Sequence, residues 1–393
     1  MMSQLRTWGH IPLILLVSGV SFAAAQEEQW LQYCSAPEVS LPGIDVGWRQ
    51  LEVTSRAPTG VELPDFETQG QLFAKWPTPM VPAGYLWIAV DRSGDPGLYD
   101  QLYIDTDGDG HLDDETAVPN RLMTQYNVFF GPVKVVFQIE DGPVSYHLNL
   151  RFYSSGDRQS VYYSSGGWYE GPITVGGAKM ACVLWDGNTN GAFDDTSLDS
   201  SESDRIQIKQ NKNPVTLFVG RYLDVGGTLY QPEIARDGAY VKLSPAADVP
   251  RGRLRVGPGV TTVSAGGENG LFVLTPEDGI CSLPAGTYRT YEWTVARKDD
   301  DGKNWRLVGR GASRADSFDV TEGEVTELAI GEPVVATLKA NRGKGAYSFQ
   351  QSLRGKDGEY IELTCNGSRP PAPRLRIKNK EGTYDRTYSF AYG

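Results

Sequence analysis

The chain has 393 residues, 49 of them acidic and 37 basic, for a formal net charge of −12 at neutral pH. An acidic balance of this size speaks against nucleic-acid partners, which are held by clustered Lys and Arg, and it suits a protein that meets divalent cations. The 45 glycines, 24 prolines and 20 tyrosines, set among short apolar runs with no long amphipathic helix, predict an all-β chain of two to four domains.

Residues 1–25 read as a secretory leader: Arg6 is the basic end, Ile11 to Phe22 the apolar stretch, and Ala23-Ala24-Ala25 the small-residue cleavage site. The apolar stretch is shorter than the roughly 20 residues a membrane anchor needs and is interrupted by Ser18, Gly19 and Ser21. The expected location is therefore exported, whether periplasm, cell surface or extracellular medium, with no membrane span in the mature chain. Disulfides are permitted there. Cys34, Cys182, Cys281 and Cys365 leave three pairings, or free buried thiols, open, and no two of them form a C-x-x-C pair that would point to zinc or redox chemistry.

A first β-unit is expected over residues 26–235. In it Tyr103-Ile104 lead into Asp105-Thr106-Asp107-Gly108-Asp109-Gly110-His111-Leu112-Asp113-Asp114. About eighty residues later Leu184-Trp185 lead into Asp186-Gly187-Asn188-Thr189-Asn190-Gly191-Ala192-Phe193-Asp194-Asp195. Oxygen-bearing side chains at loop positions 1, 3 and 5, a glycine at 6, a backbone carbonyl at 7 and a carboxylate at 9 bring hard oxygen ligands to one point, as Ca2+ requires. The expected calcium ligands are Asp105, Asp107, Asp109, His111 through its carbonyl, and Asp113, then Asp186, Asn188, Asn190, Ala192 through its carbonyl, and Asp194. Turn formation alone accounts for one or two such residues. Six carboxylates between Asp105 and Glu115 repel one another unless a cation lies among them. Asn188 and Asn190 lower the charge of the second loop and with it the expected affinity.

These loops resemble the EF-hand loop and, more closely, the shorter D-x-D-x-D-G-x-x-D loops of bacterial and matrix calcium proteins. Thr116 and Ser197 stand where the EF-hand has its bidentate Glu at position 12, and Gln101 to Ile104 and Met180 to Trp185 look like strands. The resemblance thus implies a structural calcium loop fed by a strand, not a calcium-sensing switch.

Between the loops, Val133, Val135, Phe137 and Ile139 alternate with polar neighbours except at Val136. Glu140-Asp141-Gly142-Pro143 turns the chain, and Tyr146, Leu148, Leu150 and Phe152 alternate back, a hairpin with one buried face. The run Tyr162-Tyr163-Ser164-Ser165-Gly166-Gly167-Trp168-Tyr169 reads as core or cross-strand packing, with stacking on sugar rings as the alternative if the rings are exposed. Further on, Gly270-Leu271-Phe272-Val273, Leu283 to Tyr288 and Phe318 to Val325 resemble the prealbumin-like and carboxypeptidase-regulatory-like β-sandwich modules of exported bacterial proteins, here over residues 236–331. Glu332-Pro333 reads as a linker, and residues 332–393 resemble a small Ig-like module closed by Tyr388, Phe390 and Tyr392. Asn366-Gly367-Ser368 reads as a turn. This last segment is basic: eleven Lys and Arg against five Asp and Glu give +6 from Pro333 to Gly393, which leaves −19 on residues 26–332. Arg374, Arg376, Lys378 and Lys380 read as the solvated face of a strand whose other face is Leu375 and Ile377.

No catalytic constellation is legible. After the leader the chain keeps two histidines: His111 in the first loop, and His147, which the alternation puts on the hairpin surface. There is no G-x-S-x-G elbow, no H-E-x-x-H and no phosphate-binding glycine loop, so no catalytic or cofactor-binding residue is assigned. The expectation is an exported protein of tandem β-sandwich modules whose only cofactor is Ca2+ and whose role is structural or binding, more an uncatalytic surface or matrix protein than an enzyme. The alternatives are a carbohydrate-binding or adhesive module, with an extracellular polysaccharide or another surface protein as partner, and a hydrolase without a local motif, since a glycosidase needs only two carboxylates.

Overall fold

A computed structural model describes residues 29–37, 47–94, 97–140, 142–210, 213–311, 317–356 and 358–391. The leader assigned to residues 1–25, and Tyr392, lie outside them. Every regular element among the described residues is a strand, paired antiparallel with the single exception of Arg251–Arg255 beside Val325–Glu327. The fold is all-β and sandwich-like, built from several sheets. No helix of the described residues is long and apolar enough to cross a membrane.

The hairpin expected between the loops forms as read. Asn127–Ile139 pairs with Gly142–Ser155, Val135 opposite Tyr146 and Val133 opposite Leu148. The alternating residues Val133, Val135, Phe137, Tyr146, Leu148, Leu150 and Phe152 are all buried, as a period of two demands when one face of a strand pair is covered. The register shifts between Leu148 and Leu150, where Gly131 takes φ +100° and its Cα hydrogen comes against the Leu148 carbonyl; a side chain there would collide with backbone. Trp76, from the strand Leu72–Pro77, stacks on Tyr146 with ring centroids 5.7 Å apart. Each fully buried aromatic of this kind contributes about 1.5–3 kcal/mol of transfer free energy.

One core runs from Leu31 to Leu243 and takes side chains from four sheets, and a second runs from Leu229 to Ile361. A small separate cluster joins Phe73, Ala89, Tyr103 and Leu112. Hydrogen bonding does not pause at Glu332-Pro333: Asn304–Arg310 pairs with Tyr360–Cys365, so one sheet contains strands from both sides of that dipeptide. Asn366 sits in a turn at φ +49°, bridged by Cys365 and Ser368. The four cysteines are unpaired, with Cys182 and Cys281 buried.

Candidate metal centre

Both loops occupy the same place in their sheets. Each connects two paired antiparallel strands, and each starts on the residue that follows the outgoing strand. Gln101–Ile104 ends at Asp105 and pairs with Val118–Pro119; Ala178–Trp185 ends at Asp186 and pairs with Arg205–Gln210.

The backbones then fold alike. Asp105 Oδ1 accepts from Gly108 N at 2.7 Å and Oδ2 from Gly110 N at 3.0 Å. Asp186 Oδ1 accepts from Thr189 N, and its Oδ2 from Gly191 N at 2.6 Å. Asp107 Oδ1 accepts from Asp109 N at 3.3 Å and Asp109 Oδ1 from His111 N at 2.7 Å; Asn188 Oδ1 accepts from Asn190 N at 3.1 Å and Asn190 Oδ1 from Ala192 N at 2.8 Å. Gly110 and Gly191, the sixth residues, have φ of +91° and +93°, a conformation that penalises any Cβ. The eighth residues anchor the loops: Leu112 in the cluster with Phe73, Ala89 and Tyr103, and Phe193 edge-on to Tyr169 at 5.1 Å. Seven consecutive positions thus share one hydrogen-bonding scheme, a stronger sign of common design than the sequence likeness of the flanks.

The two centres differ in what fills them. In the first loop, oxygens of Asp105, Asp107 and Asp109 lie within 4.8 Å of one another. That is about the largest separation two oxygens can have while both bind one ion at about 2.4 Å, so the donor set and its spacing suit Ca2+. Asp105 is 1% exposed, and burial raises its pKa, opposed by the two amide donors and reinforced by Asp109 and Asp107. The side chain of Asp113 stands apart from this cluster, and so does the imidazole of His111, whose expected ligand is its carbonyl. Their side chains form a second cluster with Glu62, whose backbone N–H donates to His111 Nδ1 at 3.0 Å. Glu115 turns back to accept from the Thr106 amide and hydroxyl, and burial raises its pKa.

In the second loop the amides close the ring themselves. Asn188 Nδ2 and Asn190 Nδ2 donate to Asp195 Oδ2 at 2.9 and 2.7 Å. Asp195, at loop position 10, therefore stands at the centre, while Asp194 is exposed beside a cleft lined by Gly220 and Arg221. Asp204, the residue just before the returning strand, joins the centre, accepting from Gly187 N at 2.9 Å and Asp195 N at 2.7 Å. It plays the part that Glu115 plays in the first loop, holding the amide of the second loop residue. Asp186 and Asp204 are 1% and 0% exposed. Burial pushes Asp186 up to about 7, and it pushes Asp204 well above the carboxylate range, with Asp186 and then Asp195 adding to the effect. The nearby guanidinium of Arg205 does not bond to these carboxylates. It donates to backbone carbonyls of Ser203, Asp204 and Ser200 and lies 4.0 Å from the Phe218 ring centre. Tyr146 Oη donates to Asp186 Oδ2 at 2.9 Å, and Trp76 Nε1 holds the Thr189 carbonyl at 2.8 Å.

Glu62, Glu115, Asp195 and Asp204 are the participants that loop spacing does not select. Asp204 follows Asp186 by eighteen positions and reaches it only because Trp185 pairs with Arg205, which places their neighbours side by side. The alternation Arg205-Ile206-Gln207-Ile208 marks a returning strand and is the one sequence signal that leads there. Of the aromatic run, Tyr169 is buried against Phe193 and Tyr33, while Trp168 is half-buried with its Nε1 bonded to Glu170 at 2.8 Å. His147, expected at the surface, is half-buried: its ring stacks on Tyr33, and its Nδ1 lies 3.2 Å from the Tyr33 hydroxyl. Comparison with family models, curated proteins and solved structures found no match to the chain.

Proposed function

We propose that the protein is an exported, calcium-binding structural or binding protein of the cell surface or periplasm, in which Ca2+ closes acidic loops between strands of the N-terminal unit. The observation that carries the reading is the convergence of Asp105, Asp107 and Asp109 within 4.8 Å, in a loop whose hydrogen-bonding scheme recurs at Asp186. Buried carboxylates held by amide dipoles alone are costly, and a bound cation offsets that cost. The first loop is the tighter site because three carboxylates already face one point. The second is weaker: Asn188 and Asn190 must turn their amide oxygens inward and release Asp195 before an ion can enter. A role in holding the fold together follows from the loops lying within strand connections, where an ion bound only by the folded state stabilises it by mass action. Export rests on the leader pattern of residues 1–25.

The test is calorimetric titration of the chelated protein with CaCl2, comparing Asp105→Ala with Asp114→Ala. Asp105 accepts from two loop amides and belongs to the converging cluster; Asp114 is exposed and does not. The first substitution is expected to weaken calcium binding at least about tenfold and the second by less than about threefold. Equal effects, or no calcium heat and no change in melting temperature for the unmodified protein, would refute the assignment.

A further inference from the structure

A second site stands in the basic C-terminal segment, away from both loops. Two hairpins enclose a cleft of about 750 Å3, within the range of ligand pockets. One is Val335–Arg342 with Tyr347–Arg354, joined to the large sheet at Arg354 opposite Tyr360; the other is Arg374–Lys378 with Asp385–Ser389, a two-stranded ribbon bonded to no other strand among the described residues. Side chains of Tyr347, Phe349, Leu375, Ile377, Tyr384 and Tyr388 line the cleft. Hairpins this open are marginal alone and gain from an occupant. Tyr347 is 62% and Tyr388 47% exposed, an unusual display of aromatic surface.

The walls state the chemistry of that occupant. Tyr347 and Phe349 stack in near-parallel array, 27° between ring planes, making a flat apolar wall. On the other wall the Tyr384 and Tyr388 hydroxyls meet in a hydrogen bond, beside Ser389, and offer both donors and acceptors. Arg342 lies opposite Tyr347 and Arg386 opposite Ile377, so cross-strand register puts both residues on the sheet faces that carry those lining side chains, at the margin of the cleft and outside its lining. Neither has an ion pair among the described residues, whereas Arg376, on the reverse face, is paired with Asp385. A flat ring with C–H faces, hydroxyls at its edge and a carboxylate within reach of a guanidinium answers all three features. A peptide strand does not, because the cleft lies over the faces of the hairpins and their unpaired backbone groups point along the sheet planes. The surplus of +6 from Pro333 to Gly393 favours an anion locally, and the −19 on residues 26–332 is screened beyond about 8 Å at physiological salt.

We propose that this cleft binds a short acidic oligosaccharide built of uronic acids, independently of calcium. The probe is tetragalacturonate, titrated calorimetrically into the protein in EDTA, with its methyl ester as the uncharged counterpart. Saturable one-to-one binding is expected, weaker by about tenfold for the ester and by about tenfold for Arg386→Gln, and lost in Tyr347→Ala, with no change in calcium binding. Arg386 is exposed, so its replacement carries the test should Tyr347→Ala fold poorly. The proposal is overturned by absence of heat up to about 10 mM probe, by equal affinity for the ester, by binding that appears only when CaCl2 is added, or by indifference to Arg386→Gln. Concentration-dependent dimerisation that the probe does not compete with would also overturn it and assign the cleft to a second copy of the chain.

Discussion

Raising the pH in calcium-free buffer is expected to weaken the fold, and Asp186 is the reason. The group is buried, and burial lifts its pKa from the usual 3.8 to about 7, against the pull of the Gly191, Tyr146 and Thr189 donors. A folded-state pKa above the unfolded one means that the native protein holds a proton which the unfolded chain has released. Stability from this group is therefore complete below about pH 4 and is lost as the pH climbs to the folded value. At about 1.4 kcal/mol per unit the whole effect is about 4 kcal/mol, of which about 3 kcal/mol falls between about pH 5 and pH 8. Asp204, also raised by burial and by Asp186, acts in the same direction. His147 acts in the opposite one, because burial lowers its pKa and its contribution appears as the pH rises towards 6.5. The comparison that isolates the loop is urea unfolding of the unmodified protein and of Asp186→Asn, followed by tryptophan fluorescence in EDTA from about pH 5 to pH 8. The unmodified protein should lose about 3 kcal/mol over that range and the variant less than half as much, while CaCl2 at the alkaline end should stabilise both through the first loop and the unmodified protein by more. A flat or rising profile in EDTA, or equal slopes for the two proteins, would show that Asp186 is not the buried acid described.

Two further outcomes follow from the loops. Replacing Asn188 and Asn190 together by Asp removes the amide donors that satisfy Asp195 and gives the second loop the charge of the first. The protein should then be destabilised in EDTA by about 2–4 kcal/mol and show a second calcium-binding event, measured by paired melts and titration; an unchanged melt in EDTA would contradict the amide closure. Gly191→Ala should cost more than Gly110→Ala although both residues have φ near +90°, since a Cβ at Gly191 would lie 2.9 Å from the Phe137 ring while one at Gly110 meets nothing within 4 Å. About 3 kcal/mol against about 1–2 kcal/mol is expected from urea melts, and equal losses would mean that conformation alone, not packing, limits the site.

Much of the architecture was legible locally. Alternation along Val133 to Phe137 and Tyr146 to Phe152 identified a hairpin and its buried face, because side chains on a strand point to opposite sides in strict turn and only one side is covered. The loop motif located Asp105, Asp107 and Asp109 and the glycine at the sharp turn, since short-range geometry fixes which side-chain oxygens meet the amides two to five residues on. At loop position 9 the side chains do not join the others. Asp113 leaves the first centre to stand with Glu62 and His111, and Asp194 turns outward while Asp195 turns in. Past the eighth residue the chain is steered by where Leu112 and Phe193 find apolar cover, and spacing carries no record of that.

Strand identity, loop chemistry and the contrast between an acidic body and a basic C-terminal segment were thus set by the sequence alone, because each depends on residues close together in the chain. Tertiary structure decided the rest. It alone brought Asp204 beside Asp186 and Asn188 onto Asp195, buried Tyr169, carried one sheet past Glu332-Pro333, and set two short hairpins face to face around an aromatic cleft. Antiparallel pairing makes neighbours of residues far apart in sequence, and which strands pair is settled by competition for buried apolar surface across the whole chain rather than by any one segment.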